Sequence, residues 1–300
     1  DEHDRHASSD REPPQRGLGK AAGTREQHRA ERGDHVAGDD GAARAPGVGE
    51  HAGRQLHRQE DGRIVGDWVG FQLSSAFQPI VAEDGRIAGW EAFLRSAGGD
   101  DQGLSPWTLF STATDDARLI ALDRLARTVH LLNALVSGLP GQLFLNVHGR
   151  LLAAVGDDHG RAFRRVVDAL GVRPDKIVIE TPVEASSQPD LLAFVLRNYR
   201  SNGFRVAVNV DSVLQWQDIA SLVHPHFVKI DSRKLGSGEE ARARLAWLHS
   251  LREDASVIVT RIEGAAQDYQ VGATLRQGHA LGRPAASPVG QPQTLRVQPA

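Results

Sequence analysis

Apolar residues in this chain gather into short runs that alternate with amphipathic stretches, and the alternation is confined to the middle, from about Val69 to Pro284. Eight runs read as strands: Gly70–Pro79, Arg86–Arg95, Gln142–Val147, Lys176–Glu180, Arg205–Asn209, Phe227–Ile230, Ser256–Ile262 and Thr274–Gly278. Between them lie helical patterns at Asp116–Val136, Gly160–Leu170, Asp190–Ser201, Val213–Leu222 and Glu239–Arg252. In the first, Leu119, Leu122, Leu125, Ala126, Val129 and Leu132 keep the three- and four-residue spacing of one helix face. Pro189 stands at the opening turn of the third, where a missing N–H is tolerated.

Strand, helix, strand in units of roughly 30 residues implies parallel strands joined by right-handed crossovers. Eight such strands favour a closed α/β barrel over an open doubly wound sheet. The glycine-rich turn that marks a dinucleotide-binding open sheet is missing after the first strand.

Period-two alternation assigns the strand faces. Glu91, Phe93 and Arg95 share one face; so do Phe144, Asn146 and His148, then Val178 and Glu180, Ala207, Asn209 and Asp211, and Phe227, Lys229 and Asp231. The opposite faces are aliphatic and suited to packing under helices. Each polar residue falls at the C-terminal end of its strand, where barrel enzymes place their chemistry. Two glutamates, an asparagine amide and a lysine converging on one mouth suggest oxygen ligation of a hard divalent cation such as magnesium.

The flanks differ. Through residue 60 the only large aliphatics are Leu18, Val36, Val48 and Leu56, and there is no aromatic residue. Such a segment buries too little apolar surface to offset an ordering entropy of about 1–2 kcal/mol per residue. The expected organisation is a disordered segment over 1–65, a barrel domain over 66–286 and a Pro- and Gln-rich disordered tail over 287–300. Histidines at 3, 6, 28, 35, 51 and 57 lack the tight spacing of a metal site.

Charge removes further classes. Lys plus Arg number 35 against 38 Asp plus Glu, so nothing suggests a nucleic-acid polymer as partner. Without cysteine there is no disulfide, thiolate zinc site or thiol nucleophile. No run approaches the roughly 18 apolar residues that span a bilayer, and no signal-peptide pattern opens the chain, so a cytoplasmic location is expected.

At this point a family resemblance can be stated. FQPIVAEDGRIAGWEAFLR (77–95) resembles the opening of EAL domains, the phosphodiesterase family that hydrolyses cyclic di-GMP, with Glu91-Ala92-Phe93 at the Glu-Ala-Leu position. FLNVH, IETPVE, FVKID and RQGHALGRP resemble its asparagine, glutamate, lysine and closing Gln-Gly segments, in order, up to Pro284. The resemblance implies a TIM-like (β/α)8 barrel variant with its first strand antiparallel, and a hydrolysis assisted by paired magnesium or manganese ions. It implies metal-ligand positions at Glu91, Asn146, Glu180 and Asn209, and catalytic positions at Lys229 and Glu263. Gln78, Arg95 and Gln277 would lie near the nucleotide, with Arg95 placed to pair with a phosphate.

The departures from the family pattern are local. Its Asp-Asp-Phe-Gly loop reads Asn209-Val210-Asp211-Ser212 here, and the first glutamate of its Glu-Gly-Val-Glu segment is Thr260. Magnesium or manganese is therefore expected at one residual site only, with the second site lost. The expected function is a degenerate EAL domain in cyclic di-GMP signalling, a nucleotide-binding or protein-interaction module with little or no hydrolysis. The alternative is an active phosphodiesterase built on Glu91, Asn146, Glu180, Asn209 and Asp211. A protein partner and a homodimer stay open. Trp216 and Trp247 are candidates for a partner surface, with packing onto the barrel favoured.

Overall fold

The computed structural model describes residues 55–98, 103–154, 160–264 and 275–286. The expectations for 1–54, for 287–300 and for the histidines at 3, 6, 28, 35 and 51 lie outside the described residues, as does Thr274.

Ten strands form one sheet: β1 Leu56–Arg58, β2 Ile64–Trp68, β3 Phe71–Val81, β4 Ile87–Ala97, β5 Gln142–Asn146, β6 Ile177–Thr181, β7 Arg205–Val210, β8 Phe227–Asp231, β9 Ser256–Thr260 and β10 Leu275–Arg276. Their order, β1-β2-β3-β10-β9-β8-β7-β6-β5-β4 with β4 returning to β3, closes β3 to β10 into an eight-stranded barrel. β4 through β10 run parallel, and β3 is antiparallel to both β4 and β10. This is the expected EAL-type (β/α)8 variant. The helices are α1 Pro106–Ser111, α2 Asp116–Val136, α3 Gly149–Ala154, α4 Arg161–Ala169, α5 Pro189–Ser201, α6 Val213–Ile219 and α7 Gly238–Leu251. Five of these match the helical patterns above to within a few residues at each end. The short α1 and α3, at six residues each, carry too few turns to show a period and were not foreseen.

Strand structure begins at Leu56, ahead of the boundary expected at residue 66. Gly62, at φ +85°, turns a hairpin between β1 and β2, and β2 then pairs with the first residues of β3. Val65 and Trp68 are buried against the outside of the barrel. The Ile64 N–H donates to Asn133 Oδ1 at 2.8 Å, and Asn133 Nδ2 donates back to the Ile64 carbonyl at 2.7 Å. These contacts reach a helix about seventy residues away, which is why composition near residue 60 does not announce them.

The strand faces follow the alternation. Ile80, Phe144, Val178, Ala207, Phe227 and Ile258 fill the barrel interior, with Leu275 packed against them. Outward residues such as Leu143, Ile179, Val206, Val228 and Val257 join the helices in a separate, larger core. Trp216 belongs to that core, fully buried and donating Nε1 to the Leu248 carbonyl at 3.3 Å, whereas Trp247 is partly exposed. On β5 to β9 a polar residue stands two positions after each plug residue, and there the polar layer begins.

Candidate functional site

Each residue of the polar layer stands one inward position above the plug, so strand register sets its neighbours. Gln78 is paired opposite Glu91 across β3 and β4, Asn146 opposite Glu180 across β5 and β6, and Asn209 opposite Lys229 across β7 and β8. Thr260 follows Ile258 on β9. Gln277 follows β10 directly. Gly278 behind it is required: a Cβ there would meet the Ile262 carbonyl oxygen at 2.1 Å and its nitrogen at 2.2 Å. That close approach lets the Ile262 N–H donate to the Gln277 carbonyl at 3.1 Å and turns Gln277 into the barrel.

Lys229 stands at the centre. Its Nζ donates to Glu91 Oε2 and Glu180 Oε2, both at 2.7 Å. Asn146 donates to Glu91 Oε1 at 3.0 Å, Asn209 to Glu180 Oε1 at 2.8 Å, and Gln277 to Glu91 Oε2 at 2.7 Å. Gln277 also donates to Gln78 Oε1 at 3.2 Å, and Gln78 donates to the Gly282 carbonyl at 2.9 Å. All four glutamate oxygens are therefore hydrogen-bonded. Gln277 Oε1 is buried without a partner.

These charges are almost fully buried, which would be costly were they not mutually compensated. Burial pushes the Glu91 carboxyl up, but the Lys229 charge and the bonds from Asn146, Lys229 and Gln277 outweigh it and hold it below the ordinary value. For Glu180, burial and the neighbouring Glu91 charge win over Lys229 and Asn209, and its pKa is raised. Burial opposes the Lys229 ammonium, yet Glu180 and Glu91 together hold its pKa above normal. Lys229 is accordingly a fixed cation at neutral pH rather than a proton acceptor.

Above this layer a cavity of about 380 Å³ opens to solvent, lined by Gln78, Glu91, Arg95, Lys229, Thr260 and Gln277 among others. Arg95 lies at the rim over the Phe93 ring, 5.8 Å from its centroid, and makes no ion pair among the described residues. Glu263 also lines the cavity, its Oε2 3.2 Å from His279 Nδ1. The structure thus brings Gln78, Glu91, Arg95, Glu180, Asn209, Lys229, Glu263 and Gln277 to one opening, with Asn146, exposed and outside the cavity lining, tied to Glu91.

The far arc of the mouth is built differently. Asn209 bonds to Glu180 and to the Thr181 carbonyl, at 2.8 Å each. Val210 is buried in the outer core. No register slip brings Asp211 inward: β7 pairs in step with β8, and Asp211 Oδ1 lies 2.9 Å from Lys234 Nζ, outside the cavity lining. Thr260 donates to the Ile230 carbonyl at 3.3 Å. β9 ends at Thr260, two residues before the sequence pattern suggested, because Arg261 takes φ +57° and leaves the extended region. For a non-glycine residue that conformation costs ~1–2 kcal/mol. Arg261 lines the cavity, and no reading of the strand faces singled it out. A signal existed: with Thr260 and Glu263 aligned to the ends of the Glu-Gly-Val-Glu segment, Arg261 falls on its glycine.

The donor set at the mouth is of the hard, oxygen kind. Glu91 and Glu180 supply carboxylate oxygens and Asn146 and Asn209 supply amide oxygens, all of the kind magnesium and manganese prefer. Among the described residues no group of three or more His, Cys, Asp or Glu side chains is placed to hold a metal. No helix among them is long and apolar enough to cross a membrane.

A closed barrel with one antiparallel strand and a polar layer at its C-terminal mouth defines the class, and the family follows. The EAL domain family model matches residues 70–284, and the chain belongs to that family. No curated protein matches it. Among solved structures it is similar to the EAL enzyme Bd1971 in its cAMP- and cyclic-di-GMP-bound form, at 19% identity and a TM-score of 0.58, covering 71% of this chain and 62% of that one. It is also similar to the Klebsiella pneumoniae BlrP1 manganese and cyclic-di-GMP complex, at 24% identity and a TM-score of 0.59, covering 77% and 58%. The Pseudomonas aeruginosa FimX EAL domain bound to cyclic di-GMP is 21% identical with a TM-score of 0.59, covering 71% and 91%. The chain therefore spans about three-fifths of Bd1971 and BlrP1, and at these identities the likeness is one of fold.

Proposed function

We propose that this EAL domain binds cyclic di-GMP at the barrel mouth as a signalling module and hydrolyses it little or not at all. The observation that carries this reading is the split mouth: Gln78, Arg95 and Gln277 line a cavity beside Glu91, Asn146 and Glu180, while Asn209, Val210 and Thr260 supply no carboxylate at the ends of β7 and β9. Binding a dinucleotide needs phosphate pairing and base contacts, which the first group supplies. Two-metal hydrolysis needs a clamp on both entering and leaving oxygens, which the second group does not supply. Magnesium or manganese, when bound, would be held by Glu91, Asn146, Glu180 and Asn209 and would supply charge to one phosphodiester. Lys229 contributes a fixed positive charge beneath it.

Two measurements test the reading together. Calorimetric titration with cyclic di-GMP is expected to give binding at micromolar ligand, and incubation with manganese is expected to leave the ligand cyclic on chromatography. Absence of heat at high micromolar ligand, with and without magnesium, would remove nucleotide binding and leave a protein-interaction module. Linear product that disappears in Glu91→Ala would instead establish an active phosphodiesterase, the reading that the retained Glu91–Asn146–Glu180 set favours.

A further inference from the structure

The far arc of the mouth has lost acids, and it also carries an added cation. Arg261 follows Thr260 directly, and its left-handed backbone turns the side chain to the cavity instead of continuing β9. Its Nε lies 3.2 Å from Asp231 Oδ2, and this carboxylate is shared with Arg233, whose Nη2 approaches to 2.6 Å. Asp231 is itself held, through its acceptance of the Arg233 N–H at 2.9 Å. The Arg261 carbonyl accepts from Ser232 Oγ at 3.0 Å, which fixes the backbone end. The guanidinium is thus anchored along one edge and has no other polar partner among the described residues. Its side chain remains 63% exposed.

Two guanidinium groups at this opening lie outside the Glu91–Glu180–Lys229 cluster, Arg95 without an ion pair among the described residues and Arg261 sharing Asp231 with Arg233. Glu91 and Glu180 are countered within the barrel by Lys229. At the rim Glu263 faces His279. Arg95, at the end of β4, and Arg261, at the end of β9, stand on either side of β3 and β10, which carry Gln78 and lead into Gln277. The unpartnered Gln277 Oε1 lies between these two arms as a buried acceptor in want of a donor. Two separated guanidinium groups with a hydrogen-bond acceptor between them match a ligand bearing two phosphodiesters and N–H groups.

From this arrangement we infer that Arg261 is a phosphate-binding residue that takes over, as a fixed organic cation, the charge a second metal would have provided, so that a cyclic dinucleotide binds this chain without metal. The inference rests on the cyclic di-GMP reading above and narrows it: Arg95 takes one phosphodiester and Arg261 the other, each by charge-assisted hydrogen bonds. Asp231 acts as a positioning residue for Arg261. The backbone strain at Arg261 is then the cost of presenting a guanidinium from a position suited to glycine.

The test is calorimetric titration of the whole chain with cyclic di-GMP, in EDTA and separately in manganese. Wild type is expected to bind in both. Arg261→Gly suits the left-handed backbone and is expected to fold at least as well, which thermal unfolding checks; its affinity in EDTA should fall by about tenfold or more. Arg261→Lys, which keeps the charge but not the planar fork, should fall between the two. Equal affinity of wild type and Arg261→Gly in EDTA would overturn the assignment while leaving the binding reading intact. So would wild-type binding that needs manganese. A wild type that binds in neither condition would overturn the binding reading itself, and the assignment with it.

Discussion

The two arcs of the barrel mouth differ in how their polar side chains are satisfied. On the arc from β4 to β6, Glu91, Asn146 and Glu180 are bonded to one another's neighbours and to Lys229, so every carboxylate oxygen has a donor without any metal. On the arc from β7 to β9, Asn209 bonds to Glu180 and to the Thr181 carbonyl, Thr260 to the Ile230 carbonyl and Arg261 to the Asp231 carboxylate. The acids that remain are the ones a lysine holds in place. Lys229 on β8 is already held between Glu91 and Glu180, so a further carboxylate on β7 or β9 would have to share it or be compensated by a bound metal. Glu91 and Glu180 are thus acids that the fold compensates by itself, with no ion required.

The largest effect that could break this comparison is expected at Lys229. Lys229→Ala would leave Glu91 and Glu180 buried together without their cation, and removing one partner of a buried ion pair typically costs about 3–5 kcal/mol. Urea unfolding at neutral pH measures it. Because burial and Glu91 already push the Glu180 pKa up, ionised Glu180 is the strained member of the cluster. The sign follows: a carboxyl whose folded pKa is raised favours the fold below its ordinary value of 4.5 and loses that contribution as pH rises through the folded pKa. Adding Glu180→Gln to Lys229→Ala is therefore expected to restore part of the lost stability at pH 7 and little of it near pH 4. Should Lys229→Ala unfold like wild type, the near arc is not self-supporting.

The next test converts one arc into the other. Asn209→Asp with Thr260→Glu places two more carboxylates in a mouth whose buried cation, Lys229, is already shared by Glu91 and Glu180. The variant is expected to melt below wild type in EDTA. Manganese should raise its melting temperature more than it raises that of wild type, since an ion that binds only the folded state stabilises it by mass action. Perturbing groups around a metal commonly moves affinity about 10–100-fold, so a gain of at least about tenfold in manganese affinity is expected by titration. An unchanged manganese response would show that the missing acids do not explain the difference between the arcs.

How much of this was legible depended on whether the signal was local. The inward faces of β5 to β8 were readable because alternation is a property of neighbouring residues, and Phe144–Asn146, Val178–Glu180 and Phe227–Lys229 each carried plug and site in three positions. β1 and β2 were not, since Ile64 is held by Asn133 on α2 and Trp68 by burial against the barrel, neither of which marks the local sequence. Within the site, Glu91, Glu180 and Gln277 stood in recognisable segments. Arg261 did not stand out, because one basic residue after a strand is common on protein surfaces. Only its backbone angle and the cavity behind it separate it from the rest. The exclusion of Asp211 likewise needed the β7–β8 register and the reach of Lys234.

The smallest expected effect isolates strain from function. Among the described residues two non-glycine residues take positive φ: Arg261 in the mouth at +57°, and Val69 at +46°. Val69 and Gly70, at φ +80°, form the two-residue turn between β2 and β3, a geometry that prefers Asn-Gly and penalises a β-branched residue in the first position. Val69 is 73% exposed, so little packing offsets the cost. Val69→Asn is expected to raise stability by about 1 kcal/mol, the scale of the left-handed penalty for a side chain. Cyclic di-GMP affinity should not change. Arg261→Gly relieves a penalty of the same origin but is expected to lose affinity. If both substitutions stabilise and neither alters binding, the strain at Arg261 is an accident of the chain like that at Val69. If only Arg261→Gly weakens binding, its strain is retained for what the guanidinium does at the mouth.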